Sequence, residues 1–371
     1  MTKLRVGLLF GGRSVEHEVS VASAASIHQA LDPTRYDITL IAVDREGRWH
    51  LGQPEIPLEA TVKGAVVNLR AAPGDGHLLP VEPGSKDFGA RLDVILPIIH
   101  GRGGEDGSLQ GLLELAGVPY VGSGILGSAL QMDKETSKRL LQAAGLPVLP
   151  GVLVRSRRLE TNPDEVSRRV LEEIGLPLFV KPANQGSSVG IHKVSESAQL
   201  LPALRDAARY DTKVLCERGI DAREIEVAVL GIDPIEASVP GEIRTEREFY
   251  DYEAKYVDKE TKLLVPAPLD DEQTRKVRKL AVDAMMALEG EGMGRVDFLL
   301  ERDTGHFYIN EVNSLPGFTE ASMYPRLWEA SGLPYPALLD RLIELALERH
   351  QERSQLETVN RRREDVASGP C

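Results

Sequence analysis

Residues 295–301 and 307–312 are apolar stretches flanking Asp303-Thr304-Gly305. A three-residue turn whose glycine can take positive φ folds such stretches into a β-hairpin. With Thr304 at the centre of symmetry, Asp297 faces Glu311 and Arg295 faces Asn313. All four numbers are odd, and strand side chains alternate, so two carboxylates, an amide and a guanidinium share one face. Hard divalent cations take oxygen ligands, and magnesium typically uses one or two carboxylates beside water and phosphate oxygens. The pattern points to magnesium carried on a nucleotide. Arg295, which keeps its proton, would stabilise charge on a transferring phosphoryl group or a tetrahedral centre. A cross-strand salt bridge with solvent-facing polar residues fits the hairpin alone equally well. Directly afterwards, Asn313-Ser-Leu-Pro-Gly-Phe-Thr319 offers backbone N–H groups and hydroxyls suited to a carboxylate or oxyanion, or else forms an ordinary Pro-Gly turn.

Phe179-Val-Lys-Pro-Ala-Asn-Gln-Gly-Ser-Ser-Val-Gly190 reads as strand, Gly/Ser loop and strand, unlike a P-loop, in which Gly-Lys-Ser/Thr opens a helix. The backbone N–H groups and the hydroxyls of Ser187 and Ser188 can cradle phosphate, with Lys181 as a point charge; a flexible hairpin tip is the alternative. Lys134 and Lys255 add positive charge on either side or are solvated surface residues. Cys216-Glu-Arg-Gly-Ile220 ends a short apolar strand, and an extended hinge there would offer backbone groups to an adenine, with Glu217 accepting from its amino group. Glu224 is suited to ribose hydroxyls. Both glutamates could equally be exposed charges.

Gly11-Gly-Arg-Ser-Val-Glu-His-Glu-Val-Ser20 sets backbone N–H groups at a strand end, where open α/β sheets bind ligands, without the Gly-x-Gly-x-x-Gly spacing of a dinucleotide site. Glu16 and Glu18 are out of place beside an anion, so one of them is suited to an ammonium group or a hydroxyl. An acid in the first turn, Glu18, also simply complements the helix dipole. His100 ends another strand at the same edge and opens the turn-rich His100-Gly-Arg-Gly-Gly-Glu-Asp-Gly107; a lone histidine is usually structural, and this position is what singles it out.

The elements that must carry these groups follow from periodicity. Strands over 4–10, 38–43 and 92–99 with a helix from 14 to 31 predict an open, largely parallel sheet, with variable Gly/Pro-rich excursions over 45–90. One helix is expected over 125–144, closed by Gly145 and Pro147, with a domain boundary near 132–138. Strands at 151–154, 178–181, 191–194 and 214–217 and a helix at 164–174 predict a small central α/β domain. Strands at 226–231, 295–301 and 307–312 with helices at 271–288 and 335–347 predict a mainly antiparallel third region. The expected division is 1–135, 136–224 and 225–347, followed by a charged flexible tail over 348–371.

Bulk properties agree with such a chain. At 371 residues it exceeds one core of ordinary size. With 42% apolar and 27% charged residues it reads as a soluble globular protein. A formal charge of −13 argues against nucleic acid or a membrane surface as partner, so local Lys and Arg must attract any nucleotide. Two cysteines, Cys216 and Cys371, fit a reducing compartment and exclude a disulfide framework. No apolar run is long enough for a signal or membrane segment, so a cytoplasmic protein is expected.

In combination the motifs resemble the D-alanine:D-alanine ligases of the ATP-grasp superfamily. The resemblance runs from about Val6 to Leu347 and rests on GGRSVEHEVS, HGRGGEDGSLQG, GVPYVGSG, MDKETSK, VKPANQGSSVG, FYDYEAKY, GRVDF and NEVNSLPGFT. It implies a three-domain α/β (α+β overall) architecture: an N-terminal open parallel sheet that binds substrate, a central ATP-grasp subdomain with the phosphate loop and a C-terminal one with the metal site. The implied reaction uses ATP as co-substrate: the carboxylate of one D-alanine attacks the γ-phosphoryl, and a second D-alanine attacks the acyl phosphate, for peptidoglycan precursor synthesis. By the same resemblance Lys134, Lys181 and Lys255 would contact ATP phosphates, with Ser188 in the loop, and Glu217, Ile220 and Glu224 would surround adenine and ribose. Asp297, Glu311 and Asn313 would hold two magnesium ions, with manganese as a substitute. Glu16 would bind the first D-alanine's ammonium and form a closing network with Ser187 and Tyr256, while His100 lies nearby. Arg295 and the Gly317 backbone would hold the oxyanion, and Ser322 the second carboxylate. A homodimer through the first domain is the family habit. Tyr256 goes with D-alanine as acceptor; ligases making D-alanyl-D-lactate tend to have Phe there, which keeps a depsipeptide ligase as the alternative. A nucleotide-binding regulator without turnover would not need Lys181, Arg295, Asp297, Glu311 and Asn313 together.

Overall fold

The computed structural model describes residues 2–52, 64–74, 76–81, 91–244, 262–319 and 321–356. Lys255 and Tyr256 lie outside the described residues, as does the end of the chain beyond 356.

The first sheet grows from apolar runs that can only be covered on both faces. Strands β1 (Leu4–Gly11), β2 (Tyr36–Val43) and β6 (Val94–Pro97) pair in parallel, with α1 (His17–Ala30) crossing between the first two. At the end of β1 the chain turns at Gly11 and Gly12, whose φ values are 91° and 101°, and a Cβ on Gly11 would lie 2.3 Å from the Val43 carbonyl oxygen. Only glycine allows that turn. Beyond β2 the stretch expected as irregular excursions contains β3 (Trp49–Leu51), β4 (Ala65–Leu69) and β5 (Leu78–Pro80), giving the order β5-β4-β3-β2-β1-β6. These three pair antiparallel, so half the sheet departs from the parallel expectation. They are too short to show a period, yet Val67, Leu69 and Leu78 are buried. Helix α2 (Ser108–Ala116) follows the glycine-rich turn after β6.

The helix expected over 125–144 is two helices, α3 (Ile125–Met132) and α4 (Lys134–Ala143). Asp133 breaks the run with extended backbone and accepts the Thr136 N–H at 2.9 Å, an N-cap interaction that competes with helix continuation. The central region then forms β7 (Gly151–Arg155), β8 (Leu178–Pro182), β9 (His192–Val194) and β10 (Lys213–Arg218), paired antiparallel in the order β7-β10-β8-β9. Helices α5 (Ser156–Thr161), α6 (Pro163–Glu173) and α7 (Ser197–Ala207) share its core, including Val170, Val180, Leu204 and Val214. Helix α7, unforeseen in the sequence, opens with a reciprocal Glu196–Gln199 capping box.

The third sheet is antiparallel in the order β14-β13-β11-β15-β16, built from β11 (Ala222–Gly231), β13 (Gly241–Arg244), β14 (Lys262–Leu264), β15 (Gly292–Glu301) and β16 (Phe307–Asn313), with β12 (Ile235–Ala237) beside β11. Helix α8 (Asp271–Ala287) packs Val277, Ala281 and Met285 against Val227, Val296, Phe298 and Ile309. Burying each of the Val, Ile, Met and Phe side chains among them contributes about 1.5–3 kcal/mol. Helices α9 (Met323–Ala330) and α10 (Tyr335–Ser354) belong to another cluster, in which Tyr324, Leu338 and Leu342 meet Val6, Leu8 and Phe10 of β1. One apolar core therefore joins the first sheet to the third.

That helix corrects the expected tail. It continues to Ser354, and Arg349 is buried, donating to the carbonyls of Gly122 and, at 2.9 Å, Tyr120, with its guanidinium 4.4 Å from the Tyr120 ring centre. Arg353 bridges Glu114 at 2.6 Å and Glu291 at 3.0 Å. Charged composition reads as disorder only when the charges lack partners, and these tie the third region to the first. Arg349→Met keeps the stem but strands two buried carbonyls. We expect it to lower the unfolding free energy by about 1–3 kcal/mol, seen as an earlier urea midpoint with an unchanged denaturant slope.

Candidate active site

The β15–β16 hairpin has the register its symmetry requires at the far end: Arg295 opposes Asn313 and Asp297 opposes Glu311. Between Asp297 and Phe298 the register shifts, so that Phe298 opposes Ile309 and Asn310 is the extra residue. Alternation would turn Asn310 to the other face, but its Oδ1 accepts from Lys181 Nζ at 3.2 Å. On the site face Arg295 grips Asp297 through Nε and Nη2, both at 2.7 Å, and its Nε also lies 3.1 Å from Glu226 Oε2. Glu226 is buried on β11 directly opposite Asp297. Asn313 Nδ2 donates to Asp297 at 2.9 Å, and Glu311 Oε2 lies 3.0 Å from Lys134 Nζ. Burial works against the charge on Lys134, but Glu311, with Glu16 and Glu105 farther off, keeps its pKa above the ordinary lysine value.

Facing the hairpin across a cavity of about 1270 Å³ is the central sheet. Lys134, Lys181, Ser188, Glu217, Ile220, Glu224, Asp297 and Glu311 all line it, which brings eight of the expected site residues to one space. Glu217 is buried at 1% exposure, with Oε1 2.5 Å from Lys138 Nζ and Oε2 2.8 Å from Lys181 Nζ. Burial opposes its charge, yet the two ammonium groups hold its pKa below the usual carboxylate range. An adenine amino group would share an acceptor already held by two lysines.

The Gly/Ser loop bends back to the first domain. Ser187 and Ser188 have φ values of 49° and 57°, unusual for residues with a side chain, and Ser187 Oγ donates to Glu16 Oε1 at 2.5 Å. A Cβ on Gly186 would fall 2.6 Å from Glu16 Oε2, so a larger residue there would displace the Glu16 carboxylate. Glu18 instead pairs with Arg45 at the surface, which separates the two glutamates that the sequence left open.

The loop after β16 is held from the first domain on both sides of one residue, Leu315. His100 Nδ1 bonds the Leu315 carbonyl at 2.9 Å, and the Leu315 N–H donates to Glu105 Oε1 at 3.0 Å, while Glu105 Oε2 accepts from the Gly101 N–H at 2.5 Å. Burial, followed by Glu16 nearby, pushes the Glu105 carboxyl up to about 8. Burial also lowers the His100 pKa against the opposing pull of Glu16, and its Nε2 has no hydrogen-bond partner among the described residues. Farther along, a Cβ on Gly317 would lie 2.9 Å from Ser322 Oγ, which itself accepts from the Thr319 N–H at 3.0 Å.

Four participants escaped sequence reasoning. Lys138 stands four residues after Lys134, a spacing that puts both on one helix face and could have signalled it. Glu105 lies in a motif whose role was assigned only to His100. Glu226 begins an apolar strand and signals nothing alone. Asn310 depends on the bulge.

A cleft of nucleotide size between two antiparallel sheets, with lysines on one side and an acidic hairpin on the other, is the arrangement of an ATP-dependent ligase of the ATP-grasp class. Comparison with known proteins narrows the class. A family model for the D-Ala–D-Ala ligase N-terminus matches residues 5–123, and one for the C-terminus matches 140–344. A D-alanine–D-alanine ligase from Thermoanaerobacter sp. (strain X514) is 49% identical over 358 residues, covering 95% of this chain and 99% of its own. One from Shouchella clausii (strain KSM-K16) is 47% identical over 366 residues, covering 96% and 98%. Among solved structures, the D-alanine–D-alanine ligase of Coxiella burnetii superposes with a TM-score of 0.84 at 37% identity, covering 96% of this chain and 97% of that one. A D-Ala:D-Ser ligase from Enterococcus faecalis gives 0.82 at 34%, covering 93% and 100%. The chain belongs to the D-alanine–D-alanine ligase family.

Proposed function

We propose that this protein joins two D-alanine molecules to D-alanyl-D-alanine through an acyl phosphate, releasing ADP and phosphate, to supply peptidoglycan precursor synthesis. The observation that carries the reading is the cavity that Lys181 and Ser188 of the central domain share with Asp297 and Glu311 of the hairpin, while Ser187 reaches Glu16 of the first domain, in a chain whose near full-length relatives are D-alanine–D-alanine ligases. A panel of D-amino and D-hydroxy acids with ATP tests it: D-alanine should drive phosphate release best, and a dominant D-lactate or D-serine product would overturn the acceptor assignment. The D-Ala:D-Ser neighbour makes D-serine the more searching arm.

The placement of the described residues supports the roles that follow, and Lys255 and Tyr256 take theirs from the family resemblance alone. Lys134 and Lys181, with Ser188 and Lys255, bind phosphates; Glu217, Ile220 and Glu224 receive adenine and ribose. Glu16 takes the first D-alanine's ammonium, His100 lies against that substrate, and Ser187 with Tyr256 closes over it. Arg295 and the Gly317 N–H hold the oxyanion, and Ser322 the second carboxylate. Asp297, Glu311 and Asn313 fit two magnesium ions, or manganese, as a hard oxygen donor set in which the missing ligands are left to water and phosphate. Bound there, the ions would neutralise phosphoryl oxygens. The chain's own groups do the rest: lysines fix the phosphates in line, and the loop excludes water.

The Ser187–Glu16 bond supports a further expectation. Ser187→Ala should loosen closure and let water reach the acyl phosphate, so that dipeptide formed per phosphate released falls below one. A ratio that stays at one in this variant would remove Ser187 from water exclusion.

The three sheets support the division at 1–135, 136–224 and 225–347. No described helix is long and apolar enough to cross a membrane. With the paucity of cysteine, this supports a cytoplasmic enzyme, and we read it as a homodimer through the first domain.

A further inference from the structure

We propose that Lys138 is a positioning residue of the nucleotide site: by holding the charge of Glu217 it releases Lys181 to engage phosphate. The proposal rests on the ATP-binding reading above. Lys138 projects from α4 one turn after Lys134, with its side chain 8% exposed, and lies outside the lining of the cavity. Its Nζ sits 2.5 Å from Glu217 Oε1 and donates to the Ile309 carbonyl at 3.3 Å. Lys181, which does line the cavity, holds the other Glu217 oxygen at 2.8 Å.

Two ammonium groups thus share one buried carboxylate. Had Glu217 only Lys181, moving that lysine toward a phosphate would strand an uncompensated buried charge. With Lys138 in place, Glu217 stays paired while Lys181 shifts. The cluster also carries one surplus positive charge next to the cavity, a standing attraction for an anion in a chain whose net charge is −13. Burial lowers the Lys138 pKa, and Lys181 adds to that, while Glu217 opposes both. Asn310, freed by the bulge to accept from Lys181 at 3.2 Å, gives the shifting lysine a second, uncharged partner.

The test is a cycle of Lys138→Met, Glu217→Gln and the double variant in the full chain, read by KM for ATP and for D-alanine and by direct binding of a non-hydrolysable ATP analogue. Lys138→Met should weaken analogue binding and raise KM for ATP by about tenfold, with KM for D-alanine within about twofold. In the Glu217→Gln background the same change should cost nothing, because no carboxylate remains to clamp Lys181. Should Lys138→Met fail to fold, Lys138→Gln, whose amide can still donate to Glu217 but carries no charge, takes its place in both backgrounds. An equal loss in both backgrounds, or no loss in the single variant, overturns the proposal. Analogue binding is read without turnover, so absence of D-alanine-dependent activity would defeat the ligase reading and leave this measurement standing.

Discussion

Glu311→Gln is expected to reduce D-alanine-dependent phosphate release by about a hundredfold or more, since even outer partners of a metal site are worth 10–100-fold. The substitution keeps size and hydrogen-bonding reach and removes one unit of charge. Glu311 is one of two carboxylates on the hairpin's site face, opposite Asp297 in the ladder. Magnesium relies on such charge because it gives up water reluctantly, and a neutral amide offers little in exchange. A second effect runs the other way: Lys134, 3.0 Å from Glu311, loses its partner and gains freedom to bind phosphate. ATP affinity should therefore hold or improve while turnover collapses, and raised magnesium should recover part of the loss. Chelation of the parent with EDTA should silence it, and magnesium or manganese should restore it. Near-parental turnover in the variant at low magnesium would remove Glu311 from the metal site.

The contrast between Asp297–Glu311 and Asn310 marks how far the sequence could be read. A symmetric turn and strict alternation define the hairpin face because both are local properties of a strand pair. The bulge interrupts that alternation and sets Asn310 against Lys181 from another sheet, a contact that no local pattern contains. The same division separates Lys181, visible in its strand and loop, from Lys138, whose role exists only once Glu217 arrives from β10. Short strands β3 to β5 were hidden because three to five residues cannot display a period, and their register depends on β2 already being in place. The C-terminal helix misled through composition: Arg349 and Arg353 look solvated until Tyr120, Glu114 and Glu291 fold beneath them. Glu18 already had an ordinary role as a first-turn acid, and the structure separates it from Glu16 by taking the Ser187 loop to Glu16 and Arg45 to Glu18.

Arg295→Lys keeps the charge and should still lower turnover by about 10²–10³, the usual cost of losing a donor aimed at developing negative charge. One planar guanidinium meets both Asp297 oxygens at 2.7 Å and Glu226 at 3.1 Å. An ammonium has no such fork; drawn to either carboxylate, it leaves the other and moves away from the reacting centre. In the proposed role the interaction is made with charge that appears only in the transition state, so KM for ATP and D-alanine should change little while kcat falls. The products separate the two centres Arg295 could serve. If it stabilises the tetrahedral oxyanion, acyl phosphate still forms and drains to water, so phosphate release exceeds dipeptide formation. If it stabilises the phosphoryl group, both fall together. The segment carrying Gly317 follows β16, the partner strand of Arg295's β15, and is anchored through Leu315 to His100 and Glu105 of the first domain, which favours the tetrahedral centre. We therefore expect excess phosphate, and matched losses would move Arg295 to the first chemical step.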